Sequence, residues 1–249
     1  MKAVEDTGFR IVRVVADNHK TNVALFKHLA GGELHHVTAH PLRQVDPLFL
    51  SFDPNHLIKN LRTCLLEREM TDGRELLQGG LYLRELLKLQ KDLLIKSVRC
   101  LSRAHVAPTN LEKMKVKRAV AVFSQPVITA LEFLKNNPRS HAKAHLFKDC
   151  EATVRFMTII NRWYKLHDIG HRHAQEYDRK PFTSTEDGRL VWLDVSFQQY
   201  FSDMKAACAH SQRQFLARET FSATVMTTRS TTAVIEYLLE DLKFDYVLT

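Results

Sequence analysis

The pattern of apolar and polar positions divides the chain into a short mixed beginning and a long helical remainder. "GFRIVRVVAD" (8–17) is compact and β-branched and reads as a buried strand ending at Asp17. Asp17 or Asn18 can then cap a helix that carries Val23, Phe26 and Leu29 on one face, and Gly31-Gly32 ends it. "ELHHVTAHPL" (33–42) reads as a loop or weak strand, and "PLFLSFD" (47–53) as a second buried strand. "PNHLIKNLRTCLLEREM" (54–70) predicts a helix, with Pro54 in its first turn, where a missing N–H costs nothing. The first 70 residues thus read β–α–β–α, with an acid closing each strand.

From there the period is that of helices. Leucines recur at helical spacing over 74–106. A strong helix pair follows over 109–137, where Thr109 or Asn110 with Glu112 is a start signal. Pro126 kinks or restarts that pair, and Asn137-Pro138 stops it. Residues 145–173 form a third helical block, 175–190 a polar connection, and 191–209 a further helix. The last segment, 218–249, is a helix and then a strand-like tail, "FDYVLT". The fold class expected is mixed α/β and mostly α.

A length of 249 residues suits one large domain or two modest ones. The formal charge of +8 points to an acidic partner, nucleic acid first and a membrane surface second; a solvated basic surface is the plain alternative. There is no apolar leader at Met1 and no run approaching the ~18 apolar residues of a membrane span, so a soluble intracellular protein is expected. Cys64, Cys100, Cys150 and Cys208 are far apart, form no C-x-x-C motif, and read as buried free thiols.

Two acids at neighbouring strand ends are the chief candidate chemistry. Mg²⁺ is held by one or two carboxylates with waters and phosphate oxygens. Asp53 is the better candidate, because an apolar strand delivers it and Pro54 fixes its exit; it can equally be the N-cap of the following helix. Asp17 reads as a cap. His56, Lys59 and Arg62 follow Asp53 at helical spacing and could meet a nucleic-acid backbone. Lys115, Lys117 and Arg118 in "KMKVKR" could hold phosphates, as could 172–180, or both could be solvated faces. His167, His171, His173 and Asp168 look ligand-like, but a His pair four apart without a central Glu is weak, and solvated or packing His is favoured. No phosphate-binding G-x-x-x-x-G-K-[ST] loop and no G-x-S-x-G elbow is present.

Five stretches fall in one family's order: "VVADNHKTNVALFKHL", "FDPNHLIKNLR", "LEKMKVKRAVAVFSQPVITAL", "TVRFMTIINRWYKL" and "RETFSATVMTTRSTTAVIEYLLEDLKFDYVLT". Together they resemble the P element transposases of the THAP type, over about Phe9 to Thr249, with "FDPNHLIKN" and "YVLT" the most specific parts. The resemblance implies a partial RNase H-like core over 1–73, a helical insertion over 74–205 similar to a GTP-binding domain, and a return to the core over 206–249. It further implies Mg²⁺-dependent DNA cleavage and strand transfer by an Asp-Asp-Glu triad. Asp53, in "DPNHLIKN", falls at the second Asp and becomes the expected catalytic residue and metal ligand. The first Asp of the triad is expected upstream of "GFRIVRVVAD" and its Glu beyond "YVLT". The chain is therefore expected to be an interior piece, lacking the zinc-coordinating N-terminal domain and inactive alone as a transposase. The implied partners are DNA, GTP and full-length transposase or a second copy, and the implied compartment is the nucleus. The alternative expectation is a non-catalytic DNA- or transposase-binding regulator. One departure stands out: the family tends to carry Asp where Lys165 falls and Asn where Asp168 falls, and a Lys cannot accept the guanine N1 and N2 protons.

Overall fold

The computed structural model describes residues 1–91, 96, 98–208 and 211–249, without the side chain of Gln212. In chain order its regular elements begin with α1 (Lys2–Glu5), β1 (Arg13–Ala16), α2 (Lys20–Leu29), β2 (Val37–His40), β3 (Arg43–Phe52) and α3 (Pro54–Glu67). They continue with β4 (Met70–Thr71), β5 (Leu76–Leu77), α4 (Gly79–Lys91), α5 (Arg103–Val106), α6 (Asn110–Lys113), α7 (Val116–Val122) and α8 (Gln125–Asn136). The last are α9 (Glu151–Leu166), α10 (Gly188–Val191), α11 (Gln198–Ala207) and α12 (Arg218–Glu236), with π-helical turns at Trp192–Phe197 and Tyr237–Asp241. The chain is mostly helical with a small sheet, the class its hydrophobic pattern predicts.

Two compact units emerge. One comprises Met1–Leu57, Lys165–Gln198 and Glu219–Thr249; the other comprises Ile58–Tyr164 and Gln199–Arg218.

The first unit holds the three-stranded sheet, in the order β1-β3-β2. β3 is central, parallel to β1 and antiparallel to β2. Its last five residues, Leu48 to Phe52, are all buried, including Ser51, so both faces of this strand end are covered. That explains why the sequence runs apolar there instead of alternating. Phe52 packs on Phe26 of α2 at 5.2 Å between ring centroids, and Phe49 on Tyr237 at 5.6 Å.

Several boundaries differ from expectation. β1 starts at Arg13 instead of residue 8, and the weak strand of 33–42 is realised as β2. β3 reaches back to Arg43, and its first part is open, with Val45 99% exposed. The cap of α2 is His19, whose Nδ1 accepts from the Thr21 N–H at 3.3 Å. Asp17 lies one step earlier and closes the turn instead: its Oδ1 accepts from the His19 N–H and from Asn22 Nδ2. The strand-like tail forms a short bridge. Val247 exchanges both backbone hydrogen bonds with Phe182, and Thr249 Oγ1 donates to the Leu166 carbonyl at 2.9 Å.

In the second unit the leucine-rich stretch after 74 first supplies β5, which pairs with β4, then turns into α4 at Gly79-Gly80. The two glycines are required by contact. A Cβ on Gly79 would sit 2.2 Å from Leu65 Cδ1, and one on Gly80 would sit 2.3 Å from the Leu66 carbonyl. The helical pattern expected over 74–106 falls partly on residues 92–95 and 97, which lie outside the described residues. Pro126 occupies the first turn of α8, so α7 ends and a new helix starts, and Asn137 caps its end. The core gathers Phe123 and Phe156 at 6.5 Å, with Phe201 edge-on to Phe156 at 6.2 Å. Asp72, nearly buried, pairs with Arg155 at 2.5 Å while accepting from the N–H groups of Arg74 and Glu75. Cys64, Cys150 and Cys208 are buried free thiols; Cys100 is exposed, contrary to expectation. Burial pushes the Cys150 thiol up to about 12, so it stays protonated and inert.

Candidate metal and nucleic-acid site

Asp53 stands where the sequence reading places it, one residue beyond β3 at the head of α3. Ala16 is registered against Phe52, so Asp17 and Asp53 follow at the carboxyl ends of two adjacent parallel strands. In open α/β sheets that edge is where ligands bind. The Asp53 N–H continues the ladder by donating to the Ala16 carbonyl at 2.8 Å. Its own carbonyl accepts from His56 and Leu57, and its Oδ1 accepts from the Asn55 N–H at 2.9 Å. Asp53 is therefore the N-cap of α3. Its Oδ2 takes no hydrogen bond among the described residues, and the side chain is half-exposed. One free, hard oxygen at the head of a helix fits a single inner-sphere ligand of a divalent cation. Asp17 is more engaged, since its Oδ1 holds two donors.

Behind Asp53 the strand end is fixed from α12. Thr227 Oγ1 accepts from the Phe52 N–H at 3.0 Å and donates to the Phe52 carbonyl at 3.2 Å. One turn along, Thr231 Oγ1 accepts from Arg13 Nη2 at 2.8 Å, while Arg13 Nε donates to Ser51 Oγ at 3.0 Å. Burial lowers the Arg13 pKa to about 10 and leaves it charged at neutral pH. Sequence reasoning missed these residues. The signal was present as two hydroxyls at helical spacing, Thr227 and Thr231, both buried in the folded chain.

The predicted nucleic-acid contacts divide. His56 and Lys59 are half-exposed on α3. Arg62 is 1% exposed, and its Nη2 donates to the Lys113 carbonyl at 3.0 Å. Its expected backbone contact is corrected on that ground, because a buried guanidinium cannot reach a phosphate. Lys115 and Lys117 are exposed. Arg118 is half-buried and pairs with Glu112 at 3.0 Å. Glu112 also takes Arg103 and closes the capping box at Thr109; the Thr109 N–H above all holds its carboxyl down to about 2.

His167 is buried, while His171 and His173 are exposed. Among the described residues no group of three or more His, Cys, Asp or Glu side chains is gathered to hold a metal ion. Lys165 pairs with Glu176, and Asp168 accepts from Arg179 at 2.9 Å. A second pair of acids, Asp194 and Glu236, is raised by burial, and Asp194 accepts from Thr232 Oγ1 at 2.9 Å. No helix among the described residues is long and apolar enough to cross a membrane.

The chain is similar to known transposases. The transposable element P transposase of Drosophila melanogaster is 23% identical over 171 residues, 67% of this chain and 21% of that protein. The human DNA transposase THAP9 is 23% identical over 167 residues, 66% of this chain and 18% of its length. The chain thus spans about a fifth of the length of these relatives. Among solved structures, a chain of the Drosophila P element transposase strand transfer complex shares its fold at a TM-score of 0.78 and 18% identity. That match covers 99% of this chain and 53% of the other. Residues 55–180 match the model of the family described as TNP-like, GTP-binding insertion domain, which is half of the chain, and the chain belongs to that family.

Proposed function

We propose that this chain serves a P element-like DNA transposase, with Asp53 as one of the carboxylates that hold divalent metal for DNA cleavage and strand transfer. The observation that carries the reading is the free Oδ2 of Asp53 at the carboxyl end of a central, fully buried strand end. A metal held there would neutralise charge on a phosphodiester and lower the pKa of the attacking water or 3′-hydroxyl. The chain's own contribution is placement: β3 gives Asp53 a rigid base, and its Oδ1 bond to Asn55 fixes the carboxylate plane. In this reading the first unit is the RNase H-like core. DNA is held by exposed lysines such as Lys115 and Lys117, and the protein works in the nucleus.

Nucleotide recognition through the two positions that depart from the family is not part of the reading. Lys165 offers a donor where guanine needs an acceptor, and both Lys165 and Asp168 are engaged by Glu176 and Arg179.

A second reading, a non-catalytic DNA- or transposase-binding regulator, is favoured by the capping role of Asp53, which is complete without metal. Localised hydroxyl-radical cleavage separates the two. With Fe²⁺, ascorbate and peroxide, the first reading expects backbone scission near residue 53 that Mg²⁺ suppresses and Asp53→Asn abolishes. Asn caps a helix as well as Asp does, so the fold is retained. Equal scission in both proteins would refute the first reading and leave the second.

A further inference from the structure

We infer that Thr227 is the positioning residue for Asp53. This rests on the reading of Asp53 as a metal ligand. β3 outruns its neighbour: Phe49 is paired with Val37, the first residue of β2, and Leu50 N still reaches the His36 carbonyl. Phe52 lies beyond that point. On its other side the ladder is intact, since Ala16 of β1 accepts from the Asp53 N–H. Among the described residues the N–H and carbonyl of Phe52 on the β2 side have no strand to pair with. A buried backbone pair left open would destabilise the strand end by the full desolvation of both groups.

Thr227 closes it. A single hydroxyl, fully buried, accepts from the Phe52 N–H and donates to the Phe52 carbonyl, standing in for one residue of missing strand. The next residue is Asp53. The hydroxyl therefore fixes the peptide plane from which the carboxylate projects. Its neighbour Thr224 makes a different use of its hydroxyl, donating at 2.7 Å to the Thr220 carbonyl within α12. Thr224 is as buried as Thr227, on the same helix, and does not reach β3 through that bond, so it controls for loss of a buried hydroxyl.

The test is Mn²⁺ titration of the whole chain, followed by the electron paramagnetic resonance of free Mn²⁺. The proteins compared are wild type, Asp53→Asn, Thr227→Val, Thr227→Ser and Thr224→Val. Thr227→Val is expected to weaken the Asp53-dependent site on the order of tenfold, as loss of an outer-shell support does. Thr227→Ser should restore it, and Thr224→Val should leave it unchanged. Amide hydrogen exchange at Asn55, whose N–H donates to Asp53 Oδ1, is read in parallel. It should quicken in Thr227→Val and not in Thr224→Val, whether or not metal binds. If wild type and Asp53→Asn bind Mn²⁺ equally, the metal reading fails, and the exchange at Asn55 alone decides the positioning role. If Thr227→Val and Thr224→Val behave alike in both measurements, the inference is overturned.

Discussion

Replacing Arg62 with methionine is expected to stabilise the protein slightly and to leave DNA binding untouched. The side chain is 1% exposed, and among the described residues only Nη2 is satisfied, by the Lys113 carbonyl. Among the described residues Nε and Nη1 are buried without partners. Burial lowers the pKa of the group, the direction expected when a charge is held away from water, and Glu67 offsets this only in part. Each buried unpaired donor costs about 1–3 kcal/mol, and a hydrogen bond to a charged group is worth about 1.5–3 kcal/mol. Methionine loses the one bond, removes two unpaired donors and the buried charge, and keeps an apolar stem of similar length. The net expected gain is about 1 kcal/mol, in line with buried charges replaced by well-packed apolar groups. For a chain of this size that is a rise in melting temperature of about 2–4 °C. Arg62→Ala, which empties the site, is expected to destabilise instead. The assays are thermal unfolding and the salt dependence of DNA affinity by fluorescence anisotropy. A melting temperature several degrees lower in Arg62→Met, or a shallower salt slope than wild type, would refute the argument.

Further outcomes follow from the same geometry. Lys115→Ala and Lys117→Ala, both at exposed positions, should each reduce the slope of log K against log salt by about 0.9 if they contact phosphate; unchanged slopes would remove them from the interface. Phe52→Ala should cost about 3–5 kcal/mol in urea unfolding, because it empties a fully buried site against Phe26. Gly80→Ala should destabilise by about 1–3 kcal/mol despite alanine's better helix propensity, because its Cβ meets the Leu66 carbonyl backbone. Glu112 has a folded pKa near 2 against an ordinary value of 4.5, so its contribution is complete above about pH 4.5 and is lost as pH falls toward 2. The difference in urea midpoint between wild type and Glu112→Gln should therefore shrink across that window, and a constant difference would contradict it.

The sequence made the end of β3 legible because burial left a plain mark there. A strand end covered on both faces must be apolar, and "LFLSF" is apolar except for Ser51, which takes the Arg13 guanidinium. The sequence singles out Asp53 because an apolar strand delivers it and proline follows it, and in the fold it stands at that strand end as the cap of α3. What the sequence hid was long-range. Arg62 sits at the helical spacing of a basic stripe, yet it points inward, and no local pattern separates an inward arginine from an outward one. Thr227 serves a strand 175 residues away, so its role depends on how far β2 extends. The Gly79-Gly80 pair lies inside the leucine-periodic stretch, where no local pattern shows that the close approach of α4 to Leu65 and Leu66 requires it. The cap of α2 moved to His19 because Asp17 was already used to close the turn before it.

The most direct test of the central claim is anomalous diffraction from crystals of the chain grown with Mn²⁺ and duplex DNA. The account predicts a peak about 2.0–2.2 Å from Asp53 Oδ2, near the spacing of oxygen-held Mg²⁺, with Oδ1 still accepting from Asn55. A well-ordered Asp53 that keeps its bond to Asn55 and has no metal within reach would contradict it and leave Asp53 as a helix cap.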